Sequence, residues 1–123
     1  MTSDLTIGPN QEAWLHLMET TDKPQGQGNL CRNGAYCCLG LACEAFLPAE
    51  SCERKGVLVF WDGFAGAAPT TLVRYLALRD QFGSTDDPVF PSLIKMNDHL
   101  GMTFPQIAAA IRANPRRWFT EAR

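Results

Sequence analysis

An Asn-Gly pair at positions 33 and 34, inside the stretch CRNGAYCCLGLAC, constrains this chain more than any other feature of its sequence. Two residues that tolerate positive φ form a type I′ turn whose twist matches that of antiparallel strands, so the flanking residues pair as a hairpin. A two-residue loop also sets the register: Arg32 faces Ala35, Cys31 faces Tyr36 and Leu30 faces Cys37. Strand alternation through Leu30 to Arg32 and Ala35 to Cys38 places Cys37 and Cys38 on opposite faces, with Cys31, Tyr36 and Cys38 sharing one. After Cys38 the apolar spacing changes to threes and fours at Leu39, Ala42, Cys43, Phe46 and Leu47, which predicts a helix that Pro48 closes. Gly40 at the junction lets strand and helix backbones approach closely.

Around this unit the pattern is mostly helical. Residues 1 to 9 read as a flexible tail, and Asn10 caps a helix over Gln11 to Thr20 that carries Trp14, Leu17 and Met18. SCERKG reads as a polar turn before VLVFW, a third strand that ends at Asp62-Gly63. Thr70 or Thr71 caps a helix bearing Leu72, Val73, Leu76 and Ala77. A further helix over Ser92 to Leu100 turns Leu93, Met96 and Leu100 inward and stops at Gly101. Thr103 then caps a helix with Phe104, Ile107, Ala108 and Ile111 on one stripe and Pro105 in its tolerated first turn. The predicted fold class is α+β: a small antiparallel sheet, the hairpin plus a third strand, packed with four or five helices. One compact domain over residues 1–123 is expected, because a chain of this length buries enough surface for a core without covalent staples.

Five cysteines, an odd number, read as thiols of a reducing cytoplasm rather than as disulfides. A zinc centre drawn from Cys31, Cys38, Cys52 and His99 lacks the C-x2-C knuckle such centres use, so no metal and no cofactor is expected and the thiols read first as core filling. Cys38 sits where strand becomes helix, a place that lowers a thiol's pKa, so a cysteine nucleophile with His99 or His16 as base is one catalytic alternative. Net charge is -2, which supplies no global field for nucleic acid. Helix, Gly turn and helix from Leu93 to Ile111 nevertheless have the outline of half a helix-turn-helix motif, and Arg112, Arg116, Arg117 and Arg123 gather at its end. Asn97 and Asp98 read first as backbone caps and second as walls of a ligand cleft shared with Arg32, Tyr36 and Trp61. No apolar run approaches the length that spans a bilayer, so no membrane partner is expected.

The helix around Trp14, the YCCLGLAC segment, the Tyr75-Leu76 pair and MND-x-x-G-x-x-F-x-x-IA-x-x-I together resemble a family of small bacteriophage-encoded proteins. Tyr36 to Cys43 and Met96 to Ile111 carry most of the likeness, which covers most of the chain. It implies a phage or prophage origin and an accessory role in the host cytoplasm, with no activity to carry over to any residue. The resulting expectation is a non-catalytic protein that binds a host protein, in a takeover or counter-defence role. The alternatives are a DNA-associated regulator using Arg116 and Arg117, the cysteine-dependent enzyme, and a binder of a small nucleotide. Oligomeric state is open at this level.

Overall fold

In the computed structural model, which describes residues 7–123, the Asn33-Gly34 pair turns the chain with φ of 54° and 81°. Strands β1 (Cys31–Arg32) and β2 (Ala35–Tyr36) pair with Cys31 opposite Tyr36 and Arg32 opposite Ala35, the register the turn demands. Two further strands, β3 (Cys52–Lys55) and β4 (Leu58–Trp61), complete a sheet of order β2-β1-β4-β3, antiparallel throughout. The helices are α1 (Pro9–Thr20), α2 (Cys38–Phe46), α3 (Thr70–Leu76), α4 (Leu93–Asp98), α5 (Phe104–Ala113) and α6 (Pro115–Trp118). The fold is therefore α+β, with four strands and six α-helices among the described residues.

Several sequence expectations need correction. Most of SCERKG is a strand, not a turn: β3 pairs along its whole length with β4, from Cys52 opposite Trp61 to Lys55 opposite Leu58, and Gly56 turns the chain at φ 62°. Its charged residues have poor strand propensity, yet they are tolerated because β3 is an edge strand with Glu53, Arg54 and Lys55 in solvent. The second strand of the first hairpin ends at Tyr36. Cys37 is the N-cap of α2, its Sγ accepting from Gly40 N at 3.3 Å, so strand alternation never reaches Cys38. The count of helices rises to six because α6 is a four-residue turn, unreadable from periodicity, that brings Trp118 into the core.

Boundaries shift for equally local reasons. Helix α1 starts at Pro9 with Gly8 as N-cap, since the Gln11 carboxamide accepts the Gly8 N–H at 2.9 Å; residues 1–6 of the expected tail lie outside the described residues. Pro69, not a threonine, precedes α3, and Thr71 Oγ1 instead donates to Asp62 Oδ2 at 2.8 Å. Helix α4 ends at Asp98, two residues before Leu100, which is therefore 46% exposed rather than inward. Thr103 caps α5 as expected, with a reciprocal bond from Gln106.

The core is built on α1, α2 and α5. Trp14, Leu15, Met18, Leu39, Leu41 and Ile107 are all fully buried, and Trp14 meets Phe119 edge to face at 6.3 Å. The Trp14 indole N–H donates to the Cys38 carbonyl at 3.1 Å, tying α1 to the first turn of α2.

On the rim of the α1–α5 contact, the Arg112 guanidinium bonds both Glu12, at 2.6 and 2.9 Å, and Glu19, at 2.7 and 3.0 Å. These bonds lower the pKa of both carboxyls and raise that of Arg112. A carboxylate with a depressed folded-state pKa adds stability above its unfolded value, and that contribution disappears as pH falls through the folded one. We therefore expect Arg112→Ala to cost about 1 kcal/mol near neutral pH, given how exposed the three side chains are. The gap between wild type and variant should close as pH drops below the ordinary carboxylate range of about 4. Urea titrations at several pH values check this, and a gap that does not change with pH would show the clamp to be unimportant.

Candidate functional site

Asn97 is the most heavily used polar side chain of those that sequence singled out. It lies in the last turn of α4, is 1% exposed, and spends both ends of its carboxamide. Oδ1 accepts from Gln25 Nε2 at 2.9 Å and from the Cys38 backbone N–H at 3.2 Å, while Nδ2 donates to the Gly26 carbonyl at 2.8 Å and to Asp98 Oδ1 at 2.9 Å. A carboxamide has two donors and two acceptor positions, so none remains for a ligand. Gln25 extends the network, donating to the Met102 carbonyl at 2.7 Å and accepting from Phe104 N at 3.0 Å. The 24–27 loop, the start of α2, the end of α4 and the start of α5 are thus locked at one point.

The other residues assigned to that cleft do not join it. Trp61, 1% exposed, lines an open cleft of about 370 Å³ with Glu44, Leu47, Cys52 and Arg54. Asn97 borders a different one of about 350 Å³ with Gln25, Gln27, Met102 and Thr103. Arg32 and Tyr36 line neither. Arg32 is exposed on β1, and the Tyr36 hydroxyl donates to Glu44 at 3.2 Å with Lys23 Nζ 5.3 Å from its ring centre. Burial and the Glu44 carboxylate push the Tyr36 hydroxyl up to about 12.

Four thiols are sealed: Cys31, Cys37, Cys38 and Cys43 are at most 6% exposed, and Cys52 alone is partly open. Cys38 is the first residue of α2, where the helix dipole favours a thiolate, but burial outweighs it and holds the thiol protonated well above its ordinary range. Burial likewise pushes Cys37 up to about 11 and raises Cys43. His99 is exposed at the end of α4. Among the described residues no three His, Cys, Asp or Glu side chains converge to hold a metal ion, so Cys31, Cys38, Cys52 and His99 do not assemble. We expect a thiol reagent to label one cysteine, Cys52, in the native protein and all five after denaturation. Fast native labelling of Cys38 would instead reopen the nucleophile reading.

The basic edge is largely neutralised. Arg112 is held by two glutamates, and Arg117 Nη1 faces Asp86 at 3.2 Å and Asp87 at 3.6 Å. The Arg79 guanidinium donates to the carbonyls of Arg116 and Arg117 at 2.7 and 2.8 Å, capping α6. Arg116 is exposed. Helix α5 buries Phe104, Ile107, Ala108 and Ile111 against the core, and the four-residue α6 is too short to fill a major groove as a recognition helix.

Two features escaped sequence reasoning. Gln11 is wholly buried, accepting from Gly8 N and Arg123 N at 2.9 and 3.1 Å and donating to the carbonyls of Leu76 and Glu121, both at 2.8 Å. Its place three residues after Gly8 was the available signal, a capping-box spacing. The second is a set of exposed large apolar side chains. Val57 is 50%, Phe82 50%, Val89 65% and Leu100 46% exposed; the last three flank α4 in sequence, and the Phe82 carbonyl accepts from Ile94 N of α4 at 3.3 Å. Val89 sits in the excursion closed by the Ser84–Ser92 bridge.

No helix among the described residues is long and apolar enough to cross a membrane. The chain matches no protein-family model, and neither a curated protein nor a solved structure shows significant similarity to it.

Proposed function

We propose that this chain is a non-catalytic binding protein, a phage-encoded accessory that docks on a host protein in the host cytoplasm. The observation that carries this reading is the exposure of Phe82, Val89 and Leu100, which flank α4 in sequence. Single exposed apolar residues are ordinary, but three large ones within one 19-residue stretch offer apolar area for a partner to cover. The residues that suggested chemistry support it from the other side, since the Asn97 carboxamide is saturated by the fold and four thiols are sealed. The phage origin rests on the resemblance carried by Tyr36 to Cys43 and Met96 to Ile111. Those two segments touch directly, Cys38 N to Asn97 Oδ1.

The test is capture of partners from bacterial lysate with wild type and with Phe82→Asp/Leu100→Asp. A saturable host protein retained by the first and lost with the second is expected, while Arg116→Ser/Arg117→Ser keeps it. Salt-sensitive retention of duplex DNA, lost in the arginine variant, would replace this reading with the DNA-associated one.

A further inference from the structure

The sheet has two edges, and among the described residues only one is covered. Beside β2 run residues 24–26, with Gly26 N donating to the Tyr36 carbonyl at 2.8 Å and Tyr36 N to that of Pro24 at 2.9 Å. Strand β3 has β4 on one side and, among the described residues, no strand on the other. Asp62 N donates to the Ser51 carbonyl at 2.9 Å, which sets the bonding phase of the β3–β4 ladder. Residues 51, 53 and 55 turn their backbone groups to β4, so Arg54 turns both its N–H and its C=O outward. Cys52 offers only its C=O, because its N–H already donates to Ala49.

Charged side chains usually protect a bare edge, and charges of one sign would repel across a pairing of two such edges. This one carries both: Glu53 and Lys55 share a face of β3, are 65% and 63% exposed, and meet each other at 3.6 Å. We propose that β3 is a self-complementary docking edge whose partner is β3 of a second copy, joined antiparallel about a two-fold axis at Arg54. With Arg54 opposite its own counterpart, the outward N–H and C=O groups of the two residues exchange both bonds, as an antiparallel bonded pair requires. The same register sets Glu53 of each copy opposite Lys55 of the other, twice, at the close non-bonded positions where cross-strand charge pairs interact best. Shifting the register to put Glu53 opposite Glu53 would oppose like charges and misphase the backbone bonds. The two arginines at the axis each keep a carboxylate nearby, Glu44 at 3.8 Å. Two four-stranded sheets would then run on as one.

The test is sedimentation of the purified chain over a range of concentrations. A monomer–dimer equilibrium that weakens with salt is expected. Glu53→Lys and Lys55→Glu should each weaken it by about tenfold or more, since each sets like charges opposite one another twice. An equimolar mixture of the two variants should restore dimerisation as a heterodimer, because every cross-strand pair is then of opposite sign. All four changed or facing side chains are in solvent, and circular dichroism verifies that both variants fold. A chain that stays monomeric throughout overturns the proposal, as does a dimer that either reversal leaves intact or that mixing fails to rescue.

Discussion

Gly40→Ala is expected to be the most destabilising single substitution in this fold. A Cβ at this position would lie 1.7 Å from the Leu30 carbonyl oxygen, 2.4 Å from its carbon and 2.9 Å from its Cα. Leu30 has no room to retreat, because its carbonyl accepts from Cys37 N at 3.1 Å and its N–H donates to the Ala65 carbonyl at 2.6 Å. Helix propensity works the other way, favouring Ala over Gly by about 1 kcal/mol within a helix. Overpacking against fixed backbone costs more than that, about 3 kcal/mol or above, and here it would separate the β1–β2 hairpin from α2. Gly66 is the control: nothing lies within 4 Å of a Cβ built there, so Gly66→Ala should be neutral or slightly stabilising. Urea unfolding of the two variants side by side checks both. A Gly40→Ala protein as stable as wild type would mean that hairpin and helix do not pack as described.

Asn97→Leu should be the next most damaging change, at about 3–5 kcal/mol, because it strands several polar groups at once and each costs about 1–3 kcal/mol when buried without a partner. Cys38 N loses its acceptor, the Gly26 carbonyl loses its donor, and Gln25 Nε2 keeps only Met102. That loss is a large part of the stability an ordinary domain has. Asn97→Asp is the informative companion, since it preserves the acceptor for Cys38 N while replacing the donor to Gly26 with a second carboxylate beside Asp98. It should be less stable than wild type and should recover as pH falls through the carboxyl's titration, because burial next to Asp98 favours its neutral form. Calorimetry across pH measures this. If Asn97→Leu keeps wild-type stability, the carboxamide is not the hinge of the structure and its cleft regains interest as a ligand site.

The cleft that sequence assembled from Arg32, Tyr36, Trp61, Asn97 and Asp98 shows why site reasoning fell short. Each residue was judged by its type and its neighbours along the chain, yet the partners of Asn97 lie 59 residues away at Cys38 and 71 away at Gly26. Whether an amide is saturated or open to a ligand depends on such partners. Gln11 was overlooked for the same reason, since its bonds to Leu76 and Glu121 cross 65 and 110 residues. Strand β3 was missed for a different one: Glu, Arg and Lys carry no strand signal of their own, and only pairing with β4 makes them a strand.

What the sequence determined by itself is local in its physics. The register of the first hairpin follows from two residues at its turn, and the start of α5 follows from Thr103 and Gln106 three positions apart. Gly40 stood out in the sequence at the junction of strand and helix, where the two backbones approach closely. Tertiary structure decided the rest: that Cys38 is a buried helix residue whose thiol burial holds protonated, that Arg112 belongs to two glutamates, and that no described strand pairs with the outer edge of β3. Turns and caps are settled by bonds between residues a few positions apart, whereas burial, charge pairing and strand edges depend on which distant segments the fold brings together.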